Sequence, residues 1–458
     1  MKTNFYYESD GRMVFPPVKC ECGGVHHAVD KDIYVGEGLL DNVPAFIRKR
    51  NLGTHCVLVA DDNTYRVAGE RVHKALTDAG FDVIPCVMHR EHVMPDNLSV
   101  GEVLVSITRE TEFLISVGSG SVTDTTRINA ERTGLPFVAV GTAPSMDGYT
   151  SVVAPLLHRG NKIQRPAVCP EIIVCDLDVL ATAPMPMIAS GAGDVLGKYI
   201  AKVDWQIGHI VNGEPCCDAC VDMLDDALSL VIENVDEIAA KTRKGMKALI
   251  EALLLAGVTI MIVGNTRAVA SVEHAIAQIW EMKMIARGLT PPMHGASVGV
   301  ATLLIWPLFR CFAGEELSSL DPDSAVASAM IRQERQEWLL RCFGEEASQQ
   351  IMREYPEDFL EPAELRRRVE AVKCHEAELK AAIAEMPDVN VLLDVMHRLG
   401  AETTTEEEHV PEDLLNLSMW CGKDYRSRYT LLKTLDECGL LEKYLAPWPL
   451  KEESAFFG

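Results

Sequence analysis

An α/β N-terminal domain built on a parallel sheet, followed by an all-helical C-terminal domain, is the fold class this sequence predicts. Two observations predict it. Through roughly the first 180 residues, short apolar strand signals alternate with helical ones, which implies a parallel sheet covered on both faces. Beyond about Leu180 the strand signals stop and apolar residues recur at helical spacing to the end. The domains are therefore drawn as residues 1–180 and 181–458.

Each element has its own warrant. His55–Ala60 is a compact apolar strand, followed by a helical pattern from Tyr65 to Ala79 that Gly80 stops. Phe81–Val87 is the next strand, then comes a loop containing Pro95. Phe113–Val117 and Phe137–Val140 are two further strands, with a helical segment around Asp124–Thr133 between them, and Ile172–Cys175 closes the series. The second region carries helical patterns over Cys220–Glu233, Lys244–Leu255, Val272–Ile285, Ser328–Phe343 and Leu365–Glu385.

With 458 residues, the chain is long enough for two or three domains. A formal net charge of -24 argues against nucleic acid or an anionic membrane surface as the main partner, but leaves room for an anionic metabolite in a locally positive pocket. The start of the chain has no apolar segment of the signal-peptide kind. The longest apolar run, Ala252–Val263, is too short to span a bilayer. The fourteen cysteines read as mostly reduced thiols in a cytoplasmic chain. Two clusters have the residue types of a zinc site, Cys20-Glu21-Cys22 with His26 and His27, and Cys216, Cys217 and Cys220. Neither has the paired C-x-x-C spacing of a strong signature, and plain thiols are expected for both.

Three separated residues stand out as potential metal ligands. Asp194 sits in Ser190-Gly191-Ala192-Gly193-Asp194, His274 follows Glu273 at the start of a helical pattern, and His294 follows Pro291-Pro292-Met293. One carboxylate and two imidazoles can hold a divalent cation and leave positions open for substrate. Asp194 alone would serve equally as a helix N-cap.

A nucleotide site is suggested upstream. Gly118-Ser119-Gly120-Ser121 follows an apolar strand and precedes a helix, so backbone N–H groups can approach a pyrophosphate at the positive end of the helix. This makes the sheet Rossmann-like, although Thr123 stands where G-x-G-x-x-G requires its third glycine. A second strand runs into the small, hydroxyl-bearing turn Thr142-Ala143-Pro144-Ser145-Met146-Asp147-Gly148. Asp61, at the end of the first strand, is placed to accept from a ribose hydroxyl, with Asp62 the adjacent alternative.

Taken together, Val117–Asp124 (VGSGSVTD), Thr142–Gly148 (TAPSMDG), Thr150–Pro155 (TSVVAP), Gly191–Trp205 (GAGDVLGKYIAKVDW), Glu273-His274, Trp280–Lys283 (WEMK), Met293–Thr302 (MHGASVGVAT) and Arg428–Leu440 (RYTLLKTLDECGL) resemble the iron-containing alcohol dehydrogenase and dehydroquinate synthase-like superfamily. Within it the chain is similar to glycerol-1-phosphate dehydrogenases, above all the bacterial AraM-type branch. The Cys20–His26 segment (CECGGVH) has a counterpart at the start of these proteins, so the resemblance runs from about Cys20 to Leu440.

The resemblance implies a dehydroquinate synthase-like fold and reversible, metal-dependent reduction of dihydroxyacetone phosphate to sn-glycerol 1-phosphate with NAD(H) or NADP(H). It implies that Gly118, Ser119, Gly120, Ser121 and Val122 hold the cofactor pyrophosphate, and that Thr142, Ala143, Pro144, Ser145 and Ser151 lie near the nicotinamide. It further implies that Asp147 binds substrate and that Asp194, His274 and His294 hold the cation, with Asp194 also touching substrate. Nickel is the cation favoured by the branch, and zinc or iron suits the same ligands. A homodimer, a cytoplasmic location and a role in phospholipid synthesis come with the same resemblance. Gln278 is a departure, since it stands one turn after His274 where many relatives have a second histidine. It can hydrogen-bond substrate but cannot relay a proton at neutral pH. Lys198, one helical turn after Asp194, is the expected contact for the substrate phosphate. A polyol dehydrogenase acting on an unphosphorylated substrate, a dehydroquinate synthase-like lyase and, on the strength of Gln278, a non-catalytic metabolite sensor with the same fold are the alternatives.

Overall fold

The strands at the centre of the molecule read as unbroken apolar runs because both of their faces are buried. In β4 (His55–Asp61), Val57 and Val59 enter one core while Cys56, Leu58 and Ala60 enter another on the opposite face. A computed structural model describes residues 5–158, 161–356 and 359–450. Its main sheet has eight strands in the order β1-β2-β3-β10-β7-β6-β4-β5, formed by Tyr6–Tyr7, Arg12–Val14, Asp32–Gly36, Ile172–Asp176, Phe137–Gly141, Phe113–Gly118, His55–Asp61 and Asp82–Met88. From β3 to β5 every pairing is parallel; β1 and β2 add an antiparallel edge.

The five expected strands are all present and adjacent. Three strands of the first 36 residues are additional. β1 and β2 are only two and three residues long, too short to show a period. β3 is a buried strand, with Ile33 and Val35 on one face and Tyr34 on the other. Sequence alternation also fails between β7 and β10, where β8 (Val153–His158) and β9 (Asn161–Pro166) form a separate antiparallel hairpin.

Past Leu180 the described residues form helices joined by loops, and no strand. The pattern expected over Leu365–Glu385 is two helices, Pro362–Cys374 and Glu376–Ala384, broken at His375. The one expected from Ser328 begins at Arg332 and kinks at Gly344, where φ is 79°. The apolar run ending at Val263 extends back to Arg243, making a helix of 21 residues. That helix and His294–Ala313 are both long and apolar enough to cross a membrane, but 83% and 67% of their most apolar windows are buried within the fold. Their apolarity is therefore that of core helices. One continuous apolar core includes Val57, Leu114 and Ile173 from the sheet and Ile188, Leu253 and Ile276 from the helices.

Close packing of the Met185–Leu196 and His294–Ala313 helices depends on glycine. A Cβ on Gly193 would lie 2.4 Å from the Gly295 carbonyl oxygen, and one on Gly295 would lie 2.0 Å from the Ser190 carbonyl oxygen. This approach brings Asp194, near the end of one helix, beside His294 at the start of the other.

Candidate metal and nucleotide site

Asp194, His274 and His294 converge. Their ligand atoms all lie within 4.8 Å of one another, although the residues come from three helices, Met185–Leu196, Val272–Ala286 and His294–Ala313. Asp194 is internal to its helix, so its carboxylate does not cap that helix. His274 Nε2 faces Asp194 Oδ1 at 3.4 Å, and the two imidazole centroids are 5.4 Å apart. One buried carboxylate and two imidazoles on so small a perimeter fit a single divalent cation.

The neighbours of this trio fix its geometry. Glu273 is fully buried; its Oε1 accepts from His274 Nδ1 at 2.5 Å and from the Ser271 backbone N–H at 2.8 Å. That hydrogen bond sets the tautomer and aims Nε2 at Asp194. The Lys198 ammonium, also fully buried, lies 2.8 Å from Asp194 Oδ1 and 2.7 Å from Asp147 Oδ2. Asp194 Oδ2 accepts from the Asp147 backbone N–H at 2.9 Å.

Charge balance follows from these contacts. Burial pushes the Asp194 carboxyl up, but Lys198, His274 and His294 outweigh it and hold it well below the usual carboxylate range. Burial, then the charge of Asp194, raises Asp147 despite Lys198. For Lys198 burial opposes the charge, and the two carboxylates still raise its affinity for the proton. Burial and Lys198 likewise oppose protonation of His274, yet hydrogen bonds to Asp194 and Glu273 lift it above its ordinary value.

The glycine-rich turn lies at the C-terminal end of β6, where ligands of parallel sheets bind. A Cβ on Gly118 would fall 2.5 Å from Val122 Cβ, so only glycine lets the strand enter the Gly120–Thr133 helix at this angle. Gly120 and Ser121 begin that helix, and Val122 is buried beneath the turn. The second turn, after β7, is tied to the first. Ser119 Oγ and Ser145 Oγ are 2.6 Å apart, the Thr142 N–H donates to the Gly118 carbonyl, and the Tyr149 hydroxyl donates to the Ala143 carbonyl. Ser190 Oγ in turn donates to the Ser145 carbonyl, and Pro144 O packs where a Gly191 Cβ would stand. A connected polar path thus runs from Gly118 to Asp147 and the metal trio.

Other expected residues have local partners. Asp61 caps the turn after β4, accepting from the Thr64 N–H at 2.7 Å. Ser151 Oγ donates to the Val153 carbonyl at 2.9 Å. Gln278 Oε1 accepts from Arg426 Nη2 at 3.3 Å. Three contributors escaped the sequence reading: Glu273, Ser190 and Arg426. Glu273 stands next to His274 in sequence, but nothing in that adjacency tells a carboxylate that orients an imidazole from one in solvent.

Comparison with known proteins follows the same lines. The iron-containing alcohol dehydrogenase family matches residues 34–184. A glycerol-1-phosphate dehydrogenase [NAD(P)+] of Halalkalibacterium halodurans is 36% identical over 326 residues, 70% of this chain and 82% of that protein. The chain belongs to the glycerol-1-phosphate dehydrogenase family. A Bacillus licheniformis glycerol-1-phosphate dehydrogenase [NAD(P)+] aligns at 28% identity over 94% of this chain and 95% of its own. Among solved structures, glycerol dehydrogenase from Schizosaccharomyces pombe superposes with a TM-score of 0.60 at 17% identity, covering 94% of this chain and 93% of that one. A sulfoacetaldehyde reductase from Bifidobacterium kashiwanohense in complex with NAD+ gives 0.59 at 15% identity, over 92% and 98%. These two likenesses show that the chain shares the fold of those proteins.

Proposed function

We propose that this protein catalyses the reversible NAD(P)H-linked reduction of dihydroxyacetone phosphate to sn-glycerol 1-phosphate. The observation that carries the reading is the convergence of Asp194, His274 and His294 within 4.8 Å, joined through Asp147 and Ser145 to the Gly118 turn. When bound, a divalent cation supplies Lewis-acid polarisation of the ketone oxygen and the dihydronicotinamide supplies the hydride.

The chain's own residues bind and orient. In this reading Gly118–Val122 present backbone N–H groups to the pyrophosphate, while Thr142–Ser145 and Ser151 border the nicotinamide. Asp61 keeps its capping bond and offers its remaining oxygen to the ribose. Asp147 and Asp194 face the substrate, and Lys198 holds the two carboxylates together. Lys198 Nζ is enclosed by both, so reaching a phosphate would require breaking one of these pairs. Arg426, which donates to Gln278 one turn after His274, is the cation we assign to the phosphate. Asp147, whose carboxyl is raised by burial and by Asp194, is the group that takes over proton holding where Gln278 cannot.

Finer features complete the reading. The cation is nickel, with zinc or iron fitting the same donors. The chain acts as a cytoplasmic homodimer, a location its fourteen free cysteines suit, and its product feeds phospholipid synthesis. Residues 1–180 form the nucleotide domain and 181–458 the metal and substrate domain. The deciding experiment measures metal content and the turnover of dihydroxyacetone phosphate and dihydroxyacetone with each nicotinamide. Faster turnover of the unphosphorylated ketone would make the protein a polyol dehydrogenase. Substrate conversion without net nicotinamide oxidation would make it a lyase.

A further inference from the structure

Far along the chain from one another, the two cysteine clusters meet in space. Cys20, Cys22, His26 and Cys217 place their ligand atoms within 4.8 Å of one another. Cys22 Sγ and His26 Nε2 are 3.6 Å apart. Zinc–sulfur bonds of about 2.3 Å and zinc–nitrogen bonds of about 2.0–2.1 Å at tetrahedral angles put sulfur and nitrogen about 3.6 Å apart, and two sulfurs about 3.8 Å apart. The perimeter therefore admits one ion and is too tight for an iron–sulfur core.

We propose that Cys20, Cys22, His26 and Cys217 form a closed, four-ligand zinc site, separate from the Asp194 trio, that fastens the N-terminal segment to the helical region. The N-terminal segment brings three of these ligands to one place and Cys217 brings the fourth, giving three thiolates and one imidazole, a structural zinc composition with no position left for substrate. All fourteen cysteines are free thiols, so none of these is consumed in a disulfide.

The fold makes such a fastener useful. Residues 20–30 form no helix or strand, so they lack internal hydrogen-bond ladders to hold them. The segment meets the helical region through local contacts: the His27 N–H donates to the Ile262 carbonyl at 2.8 Å, the His27 ring lies beside Gly264, and Gly24 abuts Pro215. It leads directly into β3, which pairs with β10 at the heart of the sheet. Cys217 is the residue before the Asp218–Glu233 helix, where the helix dipole favours thiolate. Cys220, buried one turn later, lies against Cys217 and supports it from behind.

The test is metal analysis of the full-length protein, purified with zinc and nickel present and dialysed. The expected result is two metal equivalents per chain, one of them zinc. Cys22→Ser and Cys217→Ser should each lose the zinc equivalent and keep the other, while His294→Ala should keep the zinc. Should the cysteine variants fail to fold, wild-type protein stripped and refilled with cobalt decides, since a thiolate-to-cobalt charge-transfer band in the near ultraviolet, retained in His294→Ala, is expected. No such band, a single metal equivalent in wild-type protein, or the mass of a disulfide among these cysteines would overturn the proposal. So would zinc that survives Cys22→Ser but leaves with Cys220→Ser.

Discussion

Replacing Glu273 with Gln tests whether the cation site depends on a residue that never touches the cation. Glu273 Oε1 accepts from both His274 Nδ1 and the Ser271 N–H, whereas Oε2 is buried without a hydrogen-bond partner. Glutamine keeps the shape and one accepting oxygen, so both donors retain a partner; what disappears is the negative charge behind the imidazole. Loss of such a carboxylate weakens metal affinity by about 10–100-fold, or about 1.4–2.8 kcal/mol. The assay is chelator competition for the catalytic cation in wild type, Glu273→Gln and His274→Ala, with a melting curve on each. The expected order of affinity is wild type, then Glu273→Gln, then His274→Ala, with the Gln variant folded. Wild-type affinity in Glu273→Gln, alongside loss in His274→Ala, would refute the orienting role and reduce Glu273 to a buried charge that happens to be adjacent.

Other outcomes follow from the same geometry. His274 carries a raised value in the folded chain, so its proton stabilises the metal-stripped protein below the unfolded histidine value, and that contribution is lost as pH rises through the folded value. Metal requires the neutral ring, so the rise in Tm on adding nickel should grow from about pH 6 upward; a shift constant with pH would contradict this. Gly295→Ala would drive a methyl to within 2.0 Å of the Ser190 carbonyl oxygen, and should cost about 1–3 kcal/mol by urea unfolding and weaken metal retention together. Lys198→Met leaves Asp147 and Asp194 buried without their ammonium, for an expected loss of about 3–5 kcal/mol of stability. Arg426→Ala should raise KM for dihydroxyacetone phosphate far more than for dihydroxyacetone, and Lys198→Ala should affect both alike; the reverse pattern would return the phosphate to Lys198.

Much of the fold was legible because burial on both faces writes apolar runs into β4, β6, β7 and β10. β3 has the same double burial, yet its Asp32 and terminal Gly36 shorten the apolar stretch to three residues, below what a periodicity argument can use. The candidate ligand trio was legible as three chemically suited residues, but the meeting of Asp194 and His294 depends on Gly193 and Gly295, whose missing side chains let two helix backbones touch. A contact created by the absence of atoms leaves little periodic trace. Lys198 shows the complementary difficulty. Helical spacing put it one turn from Asp194, but the third member, Asp147, comes from a loop some fifty residues upstream, and only the tertiary fold shows the lysine bridging two acids. The cysteine clusters were each read alone, and their spacing within one segment says nothing about a ligand contributed from another.

The electrostatics of the site explain why Lys198 and a divalent cation belong together. Asp147, Asp194 and Glu273 are three carboxylates gathered around His274 and His294, with Lys198 the ammonium between two of them. Within this set of four groups, three negative charges against one positive leave two, which buried surroundings penalise heavily. Protonation of His274, and retention of a proton on Asp147, are the adjustments available to the protein itself, and both groups are raised. A dication among neutral imidazoles would balance the same two charges and leave both groups free to deprotonate. Had Lys198 been neutral, one dication would leave the site anionic and hostile to a phosphorylated substrate; had Glu273 been neutral, the filled site would carry excess positive charge. The selection of a divalent ion is therefore a property of the whole buried charge set, and the three residues that would touch the ion account for only part of it.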